Sequence, residues 1–167
     1  MITLVRLDER LIHGQIAIKW SRYTGVDRIM VANDAAAANE TVKRSLMMAA
    51  PSTCKTAIHS VDDTLKMLEN PKAAEHKILL IVNNPKDLLK VLDVRKDIEK
   101  INIGNYGRIA AKREGQDRKT YEPNLYLYED EAADLKKVSG YGIEAVYQTT
   151  PEDVPEPLEK RRRRWSS

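Results

Sequence analysis

The sequence predicts a single α/β domain: a mostly parallel, open, twisted sheet of about six to seven strands, with helices on both faces and an active loop after the first strand. Three observations lead there. Short unbroken apolar runs recur, clearest in Lys77 to Val82 (Lys-Ile-Leu-Leu-Ile-Val), as strands covered on both faces require. Segments of helical period alternate with them through the first hundred residues, the pattern of right-handed βαβ crossovers. A chain of 167 residues without an internal repeat or linker fits one domain with a substantial core.

The elements follow in order. Ile2 to Leu7 is the first apolar run. A charged turn, Asp8-Glu9-Arg10, separates it from a helical pattern with Ile12, Ile16, Trp20 and Tyr23 on one face. Asp27 to Asn33 is a second strand. A helix then runs from Asn39 or Glu40 to Ala50, stopped by Pro51. Lys55 to His59 is a third strand, and Ser60 caps a short helix from Val61 to Glu69, closed by Asn70-Pro71. After the fourth strand, Asn84 suits an N-cap and Pro85 the first helical position, with Leu88, Leu89, Val91 and Leu92 as the apolar face. Lys100 to Ile103 is a fifth strand, ending in Gly104-Asn105-Tyr106-Gly107. Arg108 to Pro123 is polar and strongly charged and reads as an extended excursion. Leu125 to Tyr128 is a strand, and Glu129 to Val138 a helix, acidic first and basic last, as the helix dipole favours. Ile143 to Gln148 is a last short strand, and Pro151, Pro155 and Pro157 mark a terminal loop or short helix.

Composition narrows the function. Apolar residues make up 42% and charged residues 32%, as in a soluble globular protein. No apolar run is long enough to span a bilayer, and the start of the chain reads as a strand, not a signal peptide. The single cysteine, Cys54, reads as a small buried strand residue and suits a reducing cytoplasm. The net charge is +3, yet Lys160 to Arg164 alone contribute +5, which leaves −2 for the rest. The basicity therefore belongs to a tail, 159–167, expected to be disordered or an artificial extension of a 1–158 domain, and not to a nucleic-acid surface. Neither a Walker A sequence nor a Gly-x-Gly-x-x-Gly follows the first strand, and no His/Cys/carboxylate spacing suggests a metal; no cofactor is expected.

The chemistry concentrates at Val5 to Trp20. His13 lies where strand, turn and helix meet, in the crevice beyond a strand's carboxyl end where open α/β sheets bind ligands. A neutral imidazole offers one nitrogen lone pair to a phosphoryl group. Arg6 and Arg10 supply fixed charge of a geometry suited to phosphate. Gly14 admits a bulky group to the backbone, and Gly14 and Gln15 can add backbone and side-chain contacts. Asp8 can hold Arg10 or the turn. Asp34 can orient the His13 ring, although capping the next turn is the simpler reading. His59 in a strand and His76 in a charged loop have no such context.

Arg6-Leu7-Asp8-Glu9-Arg10-Leu11-Ile12-His13-Gly14-Gln15 resembles the signature Arg-Ile/Val-Asp-Asp/Glu-Arg-Leu-Ile/Val-His-Gly-Gln-Val of the EIIB component of the mannose/fructose/sorbose family of the sugar phosphotransferase system. The resemblance covers nearly the whole chain. It implies that His13 is phosphorylated on Nδ1, that an EIIA phosphohistidine is the donor, and that membrane EIIC and EIID present the acceptor, a hexose or an amino sugar such as N-acetylgalactosamine. It implies association with the membrane through EIIC and EIID only, and a strand order 3-2-1-4-5. It also places Asn33-Asp34, Asn84-Pro85 and Asn102 to Asn105 in loops around the histidine, making Gly104 and Asn105 candidates for the phosphate site. The sequence departs from the common Asn-Val-Gly-Gly-Met or Asn-Val-Gly-Asn-Met after the fifth strand, reading Asn102-Ile103-Gly104-Asn105-Tyr106-Gly107. Two other readings fit the local chemistry: a non-catalytic module that binds a phosphorylated metabolite, and a nucleic-acid tether in the arginine tail.

Overall fold

A computed structural model describes residues 1–166. Strand β1 (Ile2–Asp8) leads through the charged turn to helix α1 (Ile16–Thr24) and strand β2 (Arg28–Ala32). A short helix α2 (Asp34–Ala37) and α3 (Glu40–Ala49) precede β3 (Lys55–His59), and α4 (Val61–Leu68) and a 3₁₀ turn (Pro71–Glu75) precede β4 (Ile78–Val82). Helix α5 (Pro85–Val94) connects to β5 (Ile101–Asn105). A hairpin of β6 (Lys119–Glu122) and β7 (Leu125–Leu127), α6 (Glu129–Lys137), β8 (Ala145–Tyr147), β9 (Glu156–Pro157) and α7 (Leu158–Trp165) complete the chain.

The main sheet has seven strands in the order β3-β2-β4-β1-β5-β8-β9, parallel except for β9. The order 3-2-1-4-5 is therefore corrected: β4 inserts between β2 and β1. All five residues of β4 are buried and apolar, a composition that belongs inside a sheet with a neighbour on each side. The adjacency of β1 and β4 nevertheless stands. Helix α1 leaves β1 over one face, where Ala17 and Trp20 pack with Leu46 of α3. Helix α5 leaves β4 over the other, with α4 and α6. The chain thus switches direction between these two strands, opening the crevice at their carboxyl ends.

Side-chain caps set the helix starts. Ser60 accepts from the Asp63 amide at 3.1 Å and Asn84 from the Asp87 amide at 2.9 Å, both at the positions the sequence indicates. Three expectations change. Helix α1 begins at Ile16, so Ile12 packs from the preceding loop, and Tyr23 is exposed. Strand β7 pairs with β6 and meets the main sheet only through a bridge from Leu125 to Tyr106, just beyond β5. Cys54 precedes β3, half-buried, and its thiol donates to the Val26 carbonyl at 3.3 Å.

The excursion is built, not loose. Arg118 donates to Glu131 at 2.9 Å and to the carbonyls of Ala110 and Ala111, both at 3.0 Å. Its guanidinium stacks on Tyr106 and Tyr128. Arg113 pairs in a fork with Asp130 at 2.7 and 2.8 Å.

The basic tail also departs from expectation. Leu158 is 1% exposed and sits in the core, so α7 is a docked helix and not a disordered end. Trp165 packs edge-on against Tyr121 and donates its Nε1–H to Glu122 at 2.9 Å; Arg161 reaches the same carboxylate at 3.1 Å and Glu156 at 3.1 Å. The apolar residues that dock it, Leu158 and Trp165, flank the arginine run and are easily hidden by it. Ser167 lies outside the described residues.

Candidate active site

The site grows from the end of β1, where alternate side chains face the α1 side. Arg6 is 2% exposed, an unusual position for a charge. Its guanidinium donates to Asn102 Oδ1, to the Thr149 and Gln148 carbonyls at 2.9 and 3.2 Å and to Asp8 Oδ2 at 3.2 Å, and it stacks over Trp20 at 4.9 Å from the ring centroid. Burial lowers its pKa, and Asp8 opposes that shift. Arg6 is therefore a strut joining β1 to β5, to α1 and to the turn after β8.

Asp8 is wholly buried and three groups converge on it. Its Oδ1 accepts from the Arg10 amide at 3.0 Å, an Asx turn that closes the loop with the Leu11 amide on the Asp8 carbonyl at 3.0 Å. Its Oδ2 meets Arg6 and, at 2.9 Å, Nε2 of His13. Burial alone would raise the Asp8 pKa; the His13 hydrogen bond, the Arg6 charge and the Arg10 amide together outweigh it and hold the carboxyl below its usual value.

The loop turns sharply to present His13. Leu11 has φ 60°, a left-handed conformation that costs a branched residue roughly 1 kcal/mol or more, and its side chain is buried beside Ile12. The His13 side chain is 20% exposed. With Nε2–H donated to an ionised Asp8, the Nδ1 lone pair is left unengaged.

Glu9 was not among the candidates. It is 7% exposed and its carboxylate collects four consecutive amides, Gly107 and Arg108 at 3.0 Å and Ile109 and Ala110 at 3.2 Å. Nothing local in the sequence marks a glutamate that binds a loop about a hundred positions on. Arg10, in contrast, is exposed, and its side chain has no hydrogen bond or ion pair to another described residue. Gly14, with φ 47°, and Gln15 are exposed beside His13.

The remaining candidates separate. A Cβ built at Gly104 would lie 2.6 Å from the Arg6 guanidinium carbon, so this glycine makes room for the strut. The β1–β5 register skips it, pairing Leu7 with Ile103 and Asp8 with Asn105. Asn105 accepts the Glu9 amide on its carbonyl at 3.1 Å. Asp34 accepts from the Val61 amide at 2.9 Å and does not hold the His13 ring; Asp8, five residues before the histidine, takes that place. Among the described residues no group of three or more His, Cys, Asp and Glu could hold a metal ion.

The family model described as the sorbose subfamily IIB component of the PTS system matches residues 2–163. A probable phosphotransferase enzyme IIB component of Streptococcus pyogenes is 37% identical over 83% of this chain and 84% of its own length. The mannose-specific EIIAB component of Escherichia coli is 32% identical over 86% of this chain and 43% of its own. The crystal structure of the IIBSor domain of the sorbose permease from Klebsiella pneumoniae superposes with a TM-score of 0.86 at 25% identity, covering 98% of this chain and 97% of that one. A phosphotransferase fold with an unencumbered imidazole nitrogen at the sheet's switch point, matched from β1 into α7, leads to one assignment: the chain belongs to the mannose/fructose/sorbose family of phosphotransferase-system EIIB components, the phosphocarriers of that system.

Proposed function

We propose that Nδ1 of His13 is the phosphoryl acceptor. The observation that carries this is the commitment of Nε2 to Asp8, which leaves Nδ1 as the nucleophile. In the first step the Nδ1 lone pair attacks the phosphorus of a phosphohistidine on an EIIA donor. The donor N–P bond breaks as the Nδ1–P bond forms, and the donor ring regains its lone pair. Positive charge grows on the His13 ring and is offset by the ionised Asp8. In the second step a sugar hydroxyl attacks the phosphorus, the Nδ1–P bond breaks, and the hydroxyl proton is released. Transfer of this kind needs positioning and charge neutralisation above all. Arg10, uncommitted and exposed, covers the phosphoryl oxygens, with the Gly14 and Gln15 backbone beside them. Arg6, Gly104 and Asn105 act one layer below, by fixing Asp8 and the loop.

The donor is an EIIA domain or protein, and the sugar is held by membrane EIIC and EIID, with this chain at their cytoplasmic side. No helix among the described residues is long and apolar enough to cross a membrane. The cargo belongs among the hexoses and amino sugars, as the names of related proteins (mannose, fructose, sorbose, N-acetylgalactosamine) support.

The test is phosphorylation by the general phosphotransfer proteins and an EIIA of this family, with phosphoenolpyruvate as donor. Intact mass and peptide mapping under mild base should find one acid-labile phosphoryl group on His13, absent in His13→Ala. A chain left unmodified by several competent donors would overturn the relay and favour a module that binds a phosphorylated metabolite.

A further inference from the structure

Glu9 has no part in the chemistry described above, yet it is the most heavily engaged carboxylate near the site. Its four acceptor contacts run along one segment, Gly107 to Ala110, so the side chain is held by a nest of amides and not by a cation. The grip is reinforced from both ends. The Glu9 amide donates to the Asn105 carbonyl at 3.1 Å, and Arg118 holds the Ala110 and Ala111 carbonyls at 3.0 Å. Gly107 has φ 102°, and a Cβ there would lie 1.9 Å from the Tyr126 carbonyl oxygen, so the segment is also fixed against the hairpin.

What this segment presents outward is unusual. Ile109 is 67% exposed although it stands on a firmly held backbone, and Arg108 beside it is exposed with its guanidinium laid over Tyr126 and donating to the Tyr126 hydroxyl at 3.3 Å and the Pro123 carbonyl at 3.4 Å. Arg10 and Lys112, also exposed, lie next along the two gripped chains. One exposed apolar side chain with cations near it in the chain, on a segment clamped to the loop that carries His13, is a feature suited to protein recognition.

We propose that Glu9 is a positioning residue for docking: it locks Gly107–Ala110 to the His13 loop so that Ile109 and Arg108 form one edge of the surface that receives the phosphoryl-donor protein, through an acidic rim and an apolar recess on that donor. The proposal rests on the relay reading of His13. It assigns the Asp8-Glu9-Arg10 turn three separate tasks: ring orientation, rim placement and phosphoryl contact. It also explains why a loop carrying no reacting group is held so tightly, since a rim that drifted would cost affinity on every encounter.

Two donors separate docking from chemistry. Phosphorylated EIIA must dock, whereas phosphoramidate, a small donor whose N–P bond breaks to release ammonia, need not. Wild type, Glu9→Gln, Glu9→Asp and Ile109→Ala are compared with both, together with amide hydrogen exchange at residues 107–110. For Glu9→Gln and Ile109→Ala, KM for the EIIA donor should rise about tenfold with kcat within about threefold, while phosphoramidate labelling of His13 stays within about twofold. Exchange at 107–110 should quicken about tenfold or more in Glu9→Gln, and Glu9→Asp should recover part of the KM. An unchanged donor KM in both Glu9→Gln and Ile109→Ala overturns the proposal. So does a phosphoramidate rate that falls with the donor rate in Glu9→Gln, which would move Glu9 into the chemical step. If wild-type His13 takes label from neither donor, the relay reading itself falls and carries this one with it.

Discussion

Gly104 lies directly beneath Arg6: a methyl group there would stand 2.6 Å from the guanidinium carbon. The far end of an arginine would normally move aside. Here it is held by Asp8, Asn102, two carbonyls and the face of Trp20, so it has no second place to go. Gly104→Ala should therefore destabilise the fold by about 1–3 kcal/mol, the usual cost of overpacking. Chemical denaturation would show it as a lower midpoint at unchanged slope, and a cost near zero would mean that Arg6 is freer than its contacts suggest.

Asp8→Asn removes the charge that faces both His13 Nε2 and Arg6. Phosphoryl transfer to His13 should fall by on the order of 10²-fold or more, measured by single-turnover labelling. Stability should change with pH in a defined way. The folded Asp8 pKa lies below its unfolded value, so its contribution is fully present above the unfolded pKa, near 4, and is lost as pH falls through the folded value. In acid, the unfolding free energy of Asp8→Asn should fall less steeply than that of wild type; parallel curves would sink the assignment.

Arg10→Ala should separate function from folding. The side chain is exposed and bonded to no other described residue, so its loss should shift stability by less than about 0.5 kcal/mol. Transfer should slow by roughly 10²-fold or more. Comparable melts with unchanged transfer would remove Arg10 from the phosphoryl site.

Removal of α7 tests the tail. Leu158 is buried in the core and Glu122 is held by Trp165 and Arg161. Leu158→Ala should cost about 2–5 kcal/mol, and truncation after Pro157 at least as much, since it also strips the partners of Glu122. A truncated chain that melts like wild type would restore the disordered-tail reading.

The elements with strong local signals were legible in the sequence. The apolar run of β4, the Ser60 and Asn84 caps and the alternation of strand and helix each announce themselves within a few residues. The decapeptide Arg6 to Gln15 could be singled out because its residues are contiguous. What stayed hidden depends on contacts across long separations. Arg6 reads as a phosphate ligand at the strand end until Asn102 and Thr149 are seen to enclose it. Glu9 meets its amides about a hundred residues later. Five arginines and lysines in a row read as solvated, and Leu158 and Trp165, a single apolar pair seven residues apart, are too few to outweigh them. Strand order failed similarly: which neighbour β4 takes is a property of the crossover, not of its five residues.

The Asp8 carboxylate that occupies Nε2 has a kinetic corollary. If His13 Nδ1 is the acceptor proposed above, the phosphoryl group must leave by the position at which it arrived, so loading and unloading exclude each other in time. On the proposed relay the domain would behave as a turnstile, with spent donor and waiting acceptor competing for the same face. Double-reciprocal plots against the two partners should be parallel, and an excess of dephosphorylated donor should inhibit uptake competitively with the acceptor.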